Sequence, residues 1–103
     1  MVTYDFHLEV RADLDEIWEF IAANNPDAAD GMIAEIVEAI DSLVPFPGVG
    51  HRRPDLTSRP LHFILVREYL IAYAPEEKPL WVVAVMHGRR SPRIMAAILR
   101  GRE

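Results

Sequence analysis

The chain has 103 residues, half of them apolar and 26% charged, and no cysteine, so it has the size and composition of one folded domain over residues 1–103 and excludes disulfides and thiolate chemistry. The longest apolar run, Leu80 to Met86, is far shorter than the ~20 residues a membrane-spanning helix requires, and no basic start leads into an apolar signal segment, so a cytoplasmic location is expected. The net charge of −5 hides an asymmetry: residues 1–50 carry eleven acids and one base, residues 51–103 ten bases and five acids, and nine of those ten bases are arginine. Arginine forms planar, two-pronged contacts, so the second half is a candidate for meeting phosphates or carboxylates, unless the two halves neutralise each other in the fold.

Along the chain, Tyr4, Phe6, Leu8 and Val10 alternate with polar residues, which predicts a half-buried strand over residues 3–10. Asp13 and Glu16 have the spacing of a capping box, and Leu14, Ile17, Trp18 and Ile21 recur with helical period until Asn24-Asn25-Pro26 interrupts them. Asn25 and Pro26 then open a second helix whose stripe runs through Ala29, Met32, Ile33, Ile36, Val37, Ile40 and Leu43 and stops before Pro45, so the two helices form an antiparallel hairpin. Residues 45–60 are rich in turn formers and read as a loop. Leu61 to Val66, Tyr69 to Ala74 and Leu80 to His87, joined by short connections, predict a three-stranded antiparallel meander. Ser91-Pro92 opens a short last helix with Ile94, Ala97 and Ile98 turned to the sheet and Gly101 near its end.

The predicted class is therefore α+β with the order β-α-α-β-β-β-α, an antiparallel sheet packed on a helical hairpin. The second and third strands of the meander are almost continuously apolar, whereas a sheet covered on one face alternates. A last helix of about ten residues is too small to cover a whole second face, so an exposed apolar sheet surface and a partner to cover it are expected; the alternative is that the last helix and the long loop together suffice.

His87-Gly88-Arg89-Arg90 closes the last strand, and a glycine there lets the backbone and the arginines approach a ligand closely. Arg52, Arg53, Arg59 and Arg67 are candidates to converge on the same side, where His87 would supply an acid or base near neutral pH. The competing readings are a structural histidine at a strand end and solvated arginines. No histidine pair has metal spacing, and no phosphate-binding loop or GxSxG is present, so no metal and no cofactor is expected.

Asp15-Glu-Ile-Trp-Glu-Phe-Ile-Ala22, Asn25-Pro-Asp-Ala-Ala29, Leu43-Val-Pro-Phe-Pro-Gly-Val-Gly50, Tyr69-Leu-Ile-Ala-Tyr73 and Val85-Met-His-Gly-Arg-Arg90 follow one another in an order and spacing that resembles the RelE/ParE toxin superfamily of type II toxin–antitoxin systems. The resemblance covers nearly the whole chain and implies a bacterial toxin neutralised by a cognate antitoxin, ParD-like and encoded next to it. The antitoxin would lie over Trp18, Ile21, Tyr69, Ile71, Tyr73 and Trp81. RelE-like members cleave mRNA in the ribosome and usually carry a tyrosine or histidine near the C-terminus, but here the last tyrosine is Tyr73 and the tail after His87 has no tyrosine, histidine or lysine. The resemblance thus points to the ParE-like branch, inhibitors of DNA gyrase, with Arg52, Arg53, Arg59, Arg89 and Arg90 as target-binding candidates. The alternatives are a RelE-like endoribonuclease using Arg67 and His87, and a non-catalytic antitoxin-binding module.

Overall fold

The computed structural model describes residues 3–103. Its elements are β1 (Tyr4–Phe6), α1 (Val10–Ala22), α2 (Pro26–Leu43), a 3-10 turn at Pro47–Val49, β2 (His62–Val66), β3 (Tyr69–Ala74), β4 (Leu80–His87) and α3 (Pro92–Arg100). The order is the expected one, and the strands form a single sheet, β1-β4-β3-β2. The last three strands pair antiparallel, but β1 joins β4 in parallel, so the sheet is mixed rather than wholly antiparallel.

The first strand is shorter than its alternation predicts. The backbone turns after Phe6: Glu9 N–H donates to His7 Nδ1 and Val10 N–H to the His7 carbonyl. Leu8 is left 81% exposed, and Val10, fully buried, anchors the first turn of α1 instead. Alternation through Leu8 and Val10 was therefore coincidental, because a strand and the first turn of a helix can each end on an apolar residue. The helix starts one turn earlier than the capping-box reading requires, with Glu9 at its N-cap and no side-chain cap bond, so Asp13 is freed for another role. By contrast, α2 begins as read: Asn25 is extended, its side chain accepts from Ala28 N–H at 3.1 Å, and Pro26 fills the first turn. Such a cap is worth about 1 kcal/mol. The buried stripe of α2 is Ala29, Ile36, Ile40 and Leu43.

The expectation of a bare apolar sheet face is overturned. On one side the helical hairpin buries Tyr69, Ile71, Val82 and Val85 against Val10, Ile17, Ile36 and Ile40. On the other, Met95 and Leu99 of α3 join Leu56 and Leu61 of the long loop over Phe63, Leu70, Ala72, Val83, Ala84 and Met86. The loop supplies the cover that a short helix alone could not, which is why β3 and β4 are apolar on both faces. The stripe that α3 buries is Met95 and Leu99; Ile94, expected on the sheet, is 51% exposed.

Two details fix the sheet. Tyr73, fully buried, donates its hydroxyl to the Pro47 carbonyl at 2.7 Å and accepts from Gly50 N–H at 2.9 Å, tying the loop to β3. A Cβ on residue 50 would stand 2.6 Å from that hydroxyl and 2.8 Å from the Phe63 carbonyl, so glycine is required there by close approach. The second detail is a β-bulge: Ala72 pairs with Ala84 and Tyr73 with Val82, leaving Val83 as the extra residue.

Candidate functional site

Beyond Phe6, the pairing of β1 with β4 ends at Val82, and the rest of that edge of β4 is left open. Side chains take the place of a strand. Val85 N–H donates to Asp13 Oδ2 at 3.0 Å, and Arg102 donates to the Val83 carbonyl at 3.1 Å. The two side chains also pair with each other, Arg102 Nη2 to Asp13 Oδ1 at 2.7 Å, and are only 11% and 12% exposed. The Asp13 carboxylate holds the Arg102 guanidinium more firmly protonated than usual, against the opposing effect of its burial. Neither role is visible in the sequence, where 89 positions separate the pair.

Next to this pair lies a cleft of about 300 Å³ between α1, the end of β4 and α3, bordered by Glu16, Phe20, Tyr69, His87, Arg90 and Ile98. The end of β4 and the Arg67-Glu68 turn form its outer corner: Gly88 N–H donates to the Glu68 carbonyl at 2.7 Å. His87 Nδ1 accepts from Arg89 N–H at 3.1 Å, so a neutral ring carries its proton on Nε2, 3.6 Å from Glu68 Oε2. The ring of Tyr69 meets the imidazole edge-on at 5.4 Å. Burial, and then the charge of Glu68, push the Tyr69 phenol above its usual range, so it stays protonated at neutral pH and can donate but not serve as a base.

The arginines around this corner are already held. Arg89 pairs with Glu68 at 3.3 Å, Arg90 with Glu16 at 3.3 Å, and Arg67 makes a two-pronged contact with Glu35 at 2.8 and 3.0 Å. The hydrogen bonds from Arg67 keep the Glu35 carboxyl below the usual glutamate range. Three of the pairs join an acid of the first half to an arginine of the second, namely Glu35–Arg67, Glu16–Arg90 and Asp13–Arg102. Mutual neutralisation of the two halves is therefore realised in the fold. Arg67 takes up its contact from a backbone with φ of 56°, a left-handed conformation that ordinarily favours glycine.

The remaining candidates do not converge. Arg53 pairs with Asp55 at 2.8 Å, Arg59 donates to the Leu99 carbonyl at 3.1 Å, and Arg52 is exposed with no ion pair among the described residues. Arg53 and Gly88 do border a shallow depression with His51 and Leu65, but Arg59 faces α3. Of the residues read as an antitoxin surface, Ile71 and Tyr73 are fully buried beneath the hairpin and the loop, while Tyr69 is 7% exposed and borders the cleft. Ile21 and Trp81 are half-buried, and Trp18 is 38% exposed with its indole N–H on Asp30 at 2.8 Å. Sequence reading missed Asp13, Glu16, Glu68 and Arg102; only the helical offset of Glu16 from Phe20 could have placed those two together on one side of α1.

No helix among the described residues is long and apolar enough to cross a membrane. No curated protein matches the chain. The family model described as the ParE toxin of the type II toxin–antitoxin system, parDE, matches residues 4–92, from the first strand to the start of α3. With that match over most of its length and the fold arranged as the resemblance implied, the chain belongs to the ParE toxin family and is the toxin of a type II toxin–antitoxin pair.

Proposed function

We infer that the toxin acts on DNA gyrase and is held inactive by a cognate antitoxin of the ParD type. The observation that carries this reading is charge balance at the end of β4: Arg67, Arg89 and Arg90 each rest on a carboxylate. An RNA phosphate entering beside His87 would have to displace Glu68 or Glu16 and then remain close to its charge, whereas polyanion binding draws on unneutralised lysines and arginines. A protein target imposes no such requirement, because charged pairs at a rim exchange partners at little net cost. Antitoxin contacts are assigned to the accessible edges of Trp18, Ile21 and Trp81, and target contacts to Arg52, Arg89 and Arg90.

The experiment is induction of the toxin alone, followed by two readouts. Purified gyrase exposed to the toxin should accumulate cleaved DNA, and filamentation with a DNA-damage response should precede any fall in protein synthesis. Rapid mRNA cleavage that disappears in a His87→Ala variant would instead establish the endoribonuclease reading with Arg67 and His87 as its residues. Replacing Arg89 and Arg90 together with alanine should lower toxicity with a thermal midpoint close to wild type, since both are surface residues.

A further inference from the structure

Arg67 stands alone in its backbone conformation. Among the described residues it is the only one with φ in the left-handed region, at 56°, and none of the five glycines of the chain takes such an angle. A side chain there crowds the backbone, a cost that glycine escapes and asparagine partly escapes. The conformation is imposed by the frame around the turn: β2 and β3 pair up to Val66 and Tyr69, and Gly88 N–H donates to the Glu68 carbonyl at 2.7 Å. None of that bracing involves the Arg67 side chain. Its two-pronged pair with Glu35 joins side chains that are 67% and 43% exposed, and pairs so open to water stabilise little. The pair does not offset the strain, so the fold alone would be better served by glycine or asparagine at this position.

What arginine adds is a guanidinium held in place at an outer corner, its two prongs already in the geometry that receives a carboxylate. The corner is continuous with the end of β4, since Glu68, the next residue, pairs with Arg89 at 3.3 Å. We propose that Arg67 is a docking residue for an acidic side chain of the toxin's protein target, whose carboxylate takes the place of Glu35. It rests on the gyrase reading and adds Arg67 to Arg89 and Arg90 in that contact. Glu35, being 43% exposed, can swing into water when displaced, and the exchange replaces two hydrogen bonds by two.

The test breaks the same pair from its two ends, in full-length toxin made by cell-free synthesis and added to purified gyrase and DNA. Arg67→Gly and Arg67→Asn relieve the backbone and should keep or raise the thermal midpoint, yet lower the accumulation of cleaved DNA about tenfold or more. Glu35→Gln removes the competing carboxylate and leaves the turn and the guanidinium as they are, so cleavage should stand at the wild-type level or above. A purely structural pair requires a different pattern, in which Glu35→Gln and the Arg67 variants lose stability and activity together. That pattern, or Arg67 variants that fold and retain wild-type activity, would overturn the proposal. The gyrase reading is judged on the wild-type toxin alone: absence of cleaved DNA refutes it, and the same ranking of variants, read from growth arrest on induction, then decides the role of Arg67.

Discussion

Replacing Asp13 with alanine tests how the open edge of β4 is closed. The change leaves the Arg102 guanidinium, 11% exposed, without its carboxylate and leaves Val85 N–H without an acceptor. Breaking a buried ion pair on one side costs roughly 3–5 kcal/mol, and an orphaned backbone donor about 1–3 kcal/mol. Arg102 lies beyond the end of α3, however, so it can give up the Val83 carbonyl and swing into water, and rehydration recovers part of the loss. We expect a destabilisation of about 2–3 kcal/mol, which for a domain of this size lowers the thermal midpoint by roughly 10–20 °C. Arg102→Ala should cost somewhat less, since Asp13 keeps Val85 and admits water on its other side. A double-mutant cycle by urea denaturation should return a coupling of about 1–2 kcal/mol between the two positions. If each single variant lies within about 0.5 kcal/mol of wild type and the coupling vanishes, the pair is ornamental and the edge is closed by something else.

Gly50→Ala should destabilise by about 1–3 kcal/mol, read by the same denaturation, because a Cβ 2.8 Å from the Phe63 carbonyl meets backbone that cannot yield; a neutral result would show the loop to be looser than its contacts with β3 suggest. Burial raises the Tyr73 phenol above its ordinary 10.0, so its contribution to stability is whole below pH 10.0 and is lost as pH rises through the folded value. Tyr73→Phe should accordingly cost about 1–2 kcal/mol at neutral pH and flatten the alkaline limb of the stability profile, and an unchanged limb counts against this assignment. Glu35, lowered from its ordinary 4.5 by Arg67, stabilises the fold above that value and ceases to do so as pH falls through its folded pKa. In Arg67→Gln the Glu35 carboxyl, followed by NMR titration, should move back up toward 4.5, and a midpoint that stays put would remove the pair from the account.

The helical hairpin and the meander were legible because their signals are local. Asn25-Pro26 caps one helix, the stripe from Ala29 to Leu43 has a single period, and the strands are bounded by short turns. The site was not legible, because its parts are brought together by tertiary contacts that leave no local trace. Asp13 looks like a cap when only its neighbours are considered, and its true partners lie on β4 and in the tail. The arginine run at residues 89–90 looks like a free cationic patch until Glu68 and Glu16 are set beside it. Continuous apolar strands signalled a second covering layer; the last helix and the long loop supply it, but nothing local singled out Leu56 among the turn residues around it, and Leu61 read as the first residue of a strand.

The placement of Arg102 bears on how the edge of β4 can open. It closes an edge whose other side is held by Asp13, 89 positions earlier, so the pair fastens the segment beyond α3 to α1. The hairpin packs on β3 and β4 through a separate apolar cluster that does not include the pair. Release of the Asp13–Arg102 pair would therefore bare the Val83 carbonyl and Val85 N–H and remove one border of the cleft while that cluster stays packed. Local opening and global unfolding are thus separable at this edge: amide exchange at Val85 should report the first without the second.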